Sequence, residues 1–130
     1  MGAKRKLTGV VFSDLGRAAS FMAVDSVAAA MRAALGFAAY PGTLNVRLDT
    51  PAARAVWSSV RDGSGIPIAA GGFCAARCFP ALIEGNWRGA VILPEVADYP
   101  ADKLEIVAPA RLKDALKLAD GARLTLEFVD

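Results

Sequence analysis

The most informative stretch of this chain reads Tyr40-Pro41-Gly42-Thr43-Leu44-Asn45-Val46-Arg47. Its proline–glycine pair predicts a turn, and the residues that follow alternate between apolar and polar, as in a strand with one face on a core. The polar face carries Thr43, Asn45 and Arg47. Hydroxyl and carboxamide oxygens suit Mg²⁺, and a guanidinium group suits a polyphosphate, so this face is a candidate metal and phosphate site. An ordinary edge strand with a solvent-facing polar side would show the same alternation.

The composition is that of a single compact domain over residues 1–130, because 55% of the residues are hydrophobic and 22% are charged. A formal net charge of +2 is too balanced to indicate a nucleic-acid-binding protein. The chain contains no histidine, which excludes Ser-His-Asp and Cys-His nucleophile systems and histidine zinc sites. Any acid–base chemistry therefore has to come from carboxylates, lysines or the substrate.

The N-terminal residues are polar, and no apolar run approaches the length of a membrane span. We therefore expect a cytoplasmic protein without a signal peptide or a membrane association. The two cysteines, Cys74 and Cys78, stand four residues apart in an apolar stretch. If that stretch is a strand, both thiols lie on one face, too far apart to bond to each other, so we expect buried free thiols.

Turns rich in glycine and proline divide the rest of the chain into short strands and few helices. Alternating or apolar runs predict strands at residues 6–12, 43–47, 65–70, 72–83, 88–93, 103–108 and 123–129. Caps and apolar spacing predict helices at residues 25–35 and at 51–61 after Thr50, and one or two helical turns within 109–116. A hairpin turn is expected at Glu84-Gly85-Asn86. This order favours a mainly β protein, a small β-barrel with two or three peripheral helices.

Three stretches together resemble one family, the archaeal CTP-dependent riboflavin kinases. They are residues 35–48 with the Gly-Thr-Leu-Asn segment, residues 89–94, and residues 104–121 with the segment Glu-Ile-Val-Ala-Pro. Their order and spacing fit the family over nearly the whole chain. The resemblance implies a six-stranded cradle-loop (RIFT-type) β-barrel. It also implies transfer of a phosphoryl group from CTP to the ribityl 5′-hydroxyl of riboflavin, which gives FMN and CDP.

Site residues are implied by the same resemblance. Thr43 and Asn45 fall where the family holds Mg²⁺, which agrees with their shared face. Glu105 falls on a residue that contacts the flavin and would orient or deprotonate the acceptor hydroxyl, although a surface glutamate on a strand is the alternative. Asp98 falls on a second flavin contact. The nucleotide-contacting segments of the family fall on Ser13, Asp14, Leu15, Gly16, Arg17, Ala18, Ala110, Arg111, Leu112 and Lys113.

The chain departs from the family in the loop after the first strand, where the family has a Ser-Gly-x-Gly-Glu-Gly run. Here Asp14 and Ala18 replace two glycines, and Arg17 replaces the acidic residue. A Cβ at such positions resists positive φ angles and close backbone approach to a ligand. Asp98 replaces a threonine beside Tyr99, and its charge would disfavour a bound FMN phosphate.

These changes leave three kinds of function open. The leading hypothesis is a Mg²⁺-dependent riboflavin kinase, or a relative with a changed nucleotide donor or acceptor. The second is a non-catalytic barrel that binds a flavin or a nucleotide without turning it over. The third, a DNA-binding regulator, is disfavoured by the near-neutral charge and the lack of a basic stripe. The expected partners are riboflavin or FMN and a nucleoside triphosphate, with CTP favoured, and the sequence does not identify a protein partner.

Overall fold

The computed structural model describes residues 5–13, 25–63, 65–68 and 76–129. Its strands are β1 (Lys6–Phe12), β2 (Leu44–Arg47), β3 (Ile66–Ile68), β4 (Ala76–Ile83), β5 (Trp87–Pro94), β6 (Lys103–Val107) and β7 (Arg123–Phe128). Its helices are α1 (Asp25–Leu35), α2 (Pro51–Asp62) and α3 (Leu112–Ala115). None of these helices has the length and apolar character needed to cross a membrane.

Six of the described strands close into an antiparallel barrel. Hydrogen-bonded neighbours follow the order β4-β5-β6-β2-β1-β7, and β7 returns to β4. The second half of β4 pairs with β7, whereas its first half pairs with β3, which lies outside the barrel. Pro80 lies between these halves, and its carbonyl accepts from the Val129 N–H at 3.0 Å. Proline has no N–H, and at this position an N–H would point to the same edge of β4 as the carbonyl. No hydrogen bond to β5 is therefore lost. The predicted six-stranded barrel with peripheral helices is confirmed.

Alternate residues of the barrel strands form the core. The buried strand residues are Leu7, Val11, Leu44, Val46, Phe79, Ala81, Ile83, Val91, Leu93, Leu104, Ile106, Leu124, Leu126 and Phe128. Trp57 of α2 joins this core with only 2% of its surface exposed. Its ring centroid lies 5.1 Å from that of Phe79, edge to face, and 5.8 Å from that of Phe128, stacked. Trp57 is therefore a packing residue.

The start of α2 is set by its cap, as the sequence predicts. Thr50 Oγ1 accepts from the Ala53 N–H at 3.1 Å, and Pro51 occupies the first turn. The helix ends at Asp62, one residue later than expected.

The third helix is a single turn, and it begins later than the predicted start at Pro109. The Ala108 carbonyl accepts from the Tyr40 N–H at 2.8 Å, which holds Ala108 beside the turn that precedes β2. Arg111 then has an extended conformation with ψ of 105°, so the helix begins only at Leu112.

The helix α1 covers part of the outer face of the barrel. Its Val27, Met31 and Leu35 recur at the predicted helical spacing and pack against Ala76, Cys78, Ala90 and Val107. Gly36 ends the helix with φ of +80°, and its N–H reaches the Arg32 carbonyl at 2.9 Å. Arg88 Nη2 donates to the Leu35 carbonyl at 3.3 Å, which fixes the chain that leads into β2.

The strands around β4 follow the sequence prediction where the structure describes them. The hairpin turn is confirmed, with φ of 51° at Glu84 and 83° at Gly85. The strands predicted at 65–70 and 72–83 are seen as β3 and β4, and residues 69–75 lie outside the described part of the chain. Cys78 is a buried free thiol, as expected, and burial raises its pKa to about 11. Cys74 lies outside the described residues.

Candidate functional site

The register of three neighbouring strands brings distant polar residues into one row. Asn45 of β2 pairs with Phe12 of β1 on one side and with Glu105 of β6 on the other. Paired residues project to the same face of a sheet. Leu44 and Val46 point into the core at 6% and 0% exposure, so this row lies on the outer face, as the alternation predicts.

The carboxylate of Glu105 is held at both oxygens. Thr43 Oγ1 donates to Oε1 at 3.2 Å, and the Tyr99 hydroxyl donates to Oε2 at 2.5 Å. Tyr99 comes from the loop between β5 and β6, and its ring centroid lies 5.6 Å from Lys103 Nζ. The Glu105 side chain is therefore half-buried and oriented, unlike a freely solvated glutamate on a strand.

Beside this carboxylate, Asn45 presents a buried oxygen that no described residue satisfies. Within the described residues, Asn45 Oδ1 is buried and has no hydrogen-bond partner. Leaving such an acceptor unpaired costs about 1–3 kcal/mol, so a ligand that fills it is favoured. Thr43 donates its proton to Glu105 and so keeps its lone pairs for another partner.

These two neutral oxygens fit a hard divalent cation such as Mg²⁺. The described part of the chain contains no group of three or more carboxylates and thiols that could enclose a metal. Phosphate oxygens and water would have to complete the octahedron, which is how Mg²⁺ binds in many phosphate-handling sites. The donor set therefore suits a metal that is shared with a polyphosphate.

Arg47 lies further along the polar face of β2. Its side chain is exposed, with the guanidinium 4.7 Å from the centroid of the Phe12 ring. It pairs in register with Lys103 of β6, so two cationic residues adjoin the Asn45 row. Two cationic side chains therefore lie next to the candidate metal ligands and the Glu105 carboxylate.

A second polar cluster joins the ends of the predicted nucleotide segments. Lys113 Nζ donates to Ser13 Oγ at 3.0 Å and to Asp120 Oδ1 at 3.2 Å, and Ser13 Oγ donates to Asp120 Oδ1 at 2.9 Å. The hydrogen bonds from Ser13 and then Lys113 lower the pKa of the exposed Asp120 carboxyl. Ser13 and Lys113 stand 100 residues apart in the sequence, and the fold places them in contact.

The other predicted nucleotide-binding residues differ in how far their side chains are exposed. Arg111 is exposed, and its Nη1 donates to Asp114 Oδ1 at 2.6 Å. Leu112 is 4% exposed and packs in the barrel core, so its side chain does not face a ligand and only its backbone could. Ala110 is half-buried. The remaining predicted residues, Asp14, Leu15, Gly16, Arg17 and Ala18, lie outside the described part of the chain.

The turn before β2 connects the polar row around Asn45 with the polar cluster around Lys113. The Tyr40 N–H donates to the Ala108 carbonyl at 2.8 Å, which places the turn beside the segment that leads to α3. Gly42 has φ of +134°, a conformation that side chains with a Cβ rarely adopt. The glycine of the Gly-Thr-Leu-Asn segment is therefore needed for the path that delivers Thr43.

The sequence points to Asp98 as a flavin contact and gives no signal for its neighbour Tyr99. Asp98 is exposed in the turn before β6, whereas the contact with Glu105 comes from Tyr99. Asp120 was recognised only as part of a turn. Tyr99 could have been suspected as an aromatic residue in a proline-flanked loop, but no local pattern signals either contact.

Comparison with known proteins identifies the family. A family model named for CTP-dependent riboflavin kinases, and described as "Domain of unknown function DUF120", matches residues 11–128. The chain belongs to this family. It is 35% identical to a riboflavin kinase of Aeropyrum pernix over 94% of each chain. Riboflavin kinases of Pyrobaculum islandicum and Methanococcoides burtonii are each 36% identical, over 95% and 98% of this chain.

Family membership confirms the resemblance and makes the chain a riboflavin-kinase-like phosphotransferase. The chain covers 94% of the Aeropyrum relative but only 60% and 58% of the Pyrobaculum and Methanococcoides relatives. The roles of the individual site residues stay predictions, for which the geometry above gives the physical basis.

Proposed function

We propose that this protein transfers the terminal phosphoryl group of CTP to the ribityl 5′-hydroxyl of riboflavin, with Mg²⁺, giving FMN and CDP. The proposal rests mainly on the buried Asn45 Oδ1, which has no hydrogen-bond partner among the described residues and lies beside the doubly hydrogen-bonded Glu105. Riboflavin kinase relatives over nearly the whole chain support the acceptor, and the name of the family supports CTP.

Phosphoryl transfer depends on positioning and charge neutralisation more than on covalent chemistry, so a site without histidine is sufficient. Thr43 and Asn45 would hold Mg²⁺, which supplies neutralisation of the charge on the phosphates when it is bound. Lys113 adds a cation beside Ser13 and would bind a phosphate of the donor. Asp120 keeps Lys113 in place through its 3.2 Å contact.

Glu105 would orient the acceptor hydroxyl. A carboxylate has about four lone-pair sites, and the donors Thr43 and Tyr99 use one on each oxygen. A remaining lone pair can accept from the 5′-hydroxyl, take up its proton as the phosphoryl group is transferred, and so favour in-line attack.

The test is direct. Full-length protein is mixed with riboflavin, Mg²⁺ and one of CTP, ATP, GTP or UTP, and FMN is separated by chromatography. We expect FMN with CTP and its loss when EDTA removes the divalent cation. FMN formation from another nucleotide alone would overturn the choice of CTP, and no FMN with any donor would overturn the kinase proposal. The predicted cytoplasmic location stays a prediction.

A non-catalytic flavin- or nucleotide-binding barrel is the second candidate. Two observations favour it: the replaced glycines of the loop after β1, and the exposed anion Asp98 next to Tyr99. Titration of riboflavin fluorescence, followed by measurement of CTP consumption, separates the two. Quenching of the flavin without consumption of any nucleotide would favour the binding module.

A further inference from the structure

We propose that Tyr99 is a positioning residue of the reaction, which holds the Glu105 carboxylate in the orientation that receives the acceptor hydroxyl. This inference rests on the proposed kinase function. It concerns a residue outside the predicted metal, nucleotide and flavin contacts.

Within the described residues, the two donors to Glu105 come from different segments of the chain. Thr43 directly precedes β2 and donates to Oε1 at 3.2 Å. Tyr99 belongs to the loop before β6 and donates to Oε2 at 2.5 Å. A glutamate side chain has three rotatable bonds, and a single donor leaves rotation about the carboxyl group. Two donors on different oxygens fix both the rotamer and the plane of the carboxylate.

The loop that delivers Tyr99 is itself anchored. The Asp102 carbonyl accepts from the Leu48 N–H at 2.7 Å, which ties the end of the loop to the end of β2. The Tyr99 N–H donates to the Val96 carbonyl at 3.3 Å, and the Tyr99 ring lies 5.6 Å from Lys103 Nζ. The phenol therefore reaches along β6 from the Lys103 position to the Glu105 position.

A second donor to Glu105 is required because Thr43 has two roles in the proposed site. Thr43 would give its lone pairs to Mg²⁺ and its proton to Glu105. Any shift of Thr43 as the metal and nucleotide enter would be passed on to Glu105 if this were its only donor. The hydroxyl of Tyr99 orients the carboxylate through its other oxygen and without Thr43, as an outer hydrogen bond does for many reacting groups.

The test is the substitution Tyr99→Phe, which keeps the ring over Lys103 and removes only the hydroxyl. We expect kcat to fall about tenfold, because a misoriented group slows the transfer step. The KM for CTP and the riboflavin affinity, read from flavin fluorescence, should each change by less than about threefold. Thr8→Val is the matched control, since Thr8 Oγ1 makes a half-buried 2.8 Å hydrogen bond to Thr125 Oγ1 outside the site.

A double-substitution cycle separates positioning from a general structural effect. Because Tyr99 acts through the carboxylate, Tyr99→Phe should cost less than about twofold in kcat when Glu105 is already Gln. Equal tenfold losses in both backgrounds would overturn the inference, as would a Tyr99→Phe enzyme with the kcat of the wild type. A fall in thermal stability that parallels the loss of kcat would assign Tyr99 a structural role instead.

The outcome for the wild type distinguishes this inference from the proposed function. Wild-type protein that forms no FMN overturns the kinase proposal, and the positioning role falls with it. Wild-type protein that forms FMN, together with an unaffected Tyr99→Phe variant, overturns the positioning role alone.

Discussion

The Thr43 hydroxyl donates to Glu105 Oε1 at 3.2 Å, joining side chains 62 residues apart in the sequence. The contact exists because β2 and β6 are antiparallel neighbours that place Asn45 directly opposite Glu105. It links the candidate metal strand to the candidate acceptor-orienting carboxylate. Changes to either side of this contact therefore give the sharpest predictions about the site.

Asn45→Ala should separate a metal ligand from a structural residue. Because Oδ1 has no hydrogen-bond partner within the described residues, its removal should leave the free energy of unfolding unchanged or slightly higher. Turnover at low Mg²⁺ should fall about 10–100-fold and recover partly at high Mg²⁺. The readouts are urea denaturation and FMN formation against Mg²⁺ concentration.

Asn86→Ala is the control for this change, since Asn86 is an exposed residue of the β4–β5 hairpin turn. It should keep the Mg²⁺ dependence of the wild type. A Mg²⁺ dependence shared by both alanine variants would contradict the ligand assignment.

Glu105→Gln should lower kcat by about 100-fold or more, because a carboxamide keeps the size of the side chain but cannot take up the hydroxyl proton. The KM for CTP should change little. Steady-state kinetics of FMN formation check this. Glu127→Gln on β7, a half-buried strand glutamate outside the site, should behave as the wild type. If Glu105→Gln retains most of its turnover, Glu105 is an ordinary strand residue.

Lys113→Met should weaken nucleotide binding while sparing the transfer step. It removes the cation that contacts Ser13 Oγ at 3.0 Å, so we expect the KM for CTP to rise about tenfold with little change in kcat. Initial rates against CTP concentration give both constants. The exposed Lys117 offers the matched control, Lys117→Met, with an unchanged KM. A rise in the KM for riboflavin instead would place Lys113 at the acceptor.

The buried Cys78 predicts a loss of stability at alkaline pH. Burial raises its pKa from 9.0 to about 11, so the native state keeps the proton while the unfolded thiol ionises near pH 9. The free energy of unfolding should therefore fall between pH 9 and 11, by up to about 2 kcal/mol from this group. In Cys78→Ala this part of the pH dependence should be absent.

Urea denaturation at pH 7, 9 and 10.5 measures the effect in a Cys74→Ser background, which leaves Cys78 as the only thiol. Identical pH dependence with and without the Cys78 thiol would contradict the prediction. In the same background, the thiol should resist alkylation in the native protein and react after denaturation.

Local rules explain the elements that the sequence determined by itself. The alternation in Lys6–Phe12 and after Gly42 predicts which faces are buried, since successive side chains of a strand point to opposite sides. Thr50 caps α2 through an atom three residues away, and the Glu84-Gly85 pair adopts the positive φ angles of a tight hairpin. Each of these choices depends on neighbours within one turn of chain.

Barrel closure and strand register depend on tertiary structure, and no local sequence pattern predicts them. The return of β7 to β4 closes the barrel, and the alignment of Phe12, Asn45 and Glu105 depends on two separate strand registers. The fold also places the Leu112 side chain in the core, which leaves only its backbone for the predicted nucleotide contact.

Local sequence rules therefore predict the strands, the turns and the cap of α2, and the residue types of a candidate metal and phosphate site. Only the folded barrel decided that Thr43 and Tyr99 both hold Glu105, and that Lys113 meets Ser13 and Asp120. The physical reason is that periodicity and capping act over a few residues, whereas these contacts join positions brought together by strand pairing and loop placement.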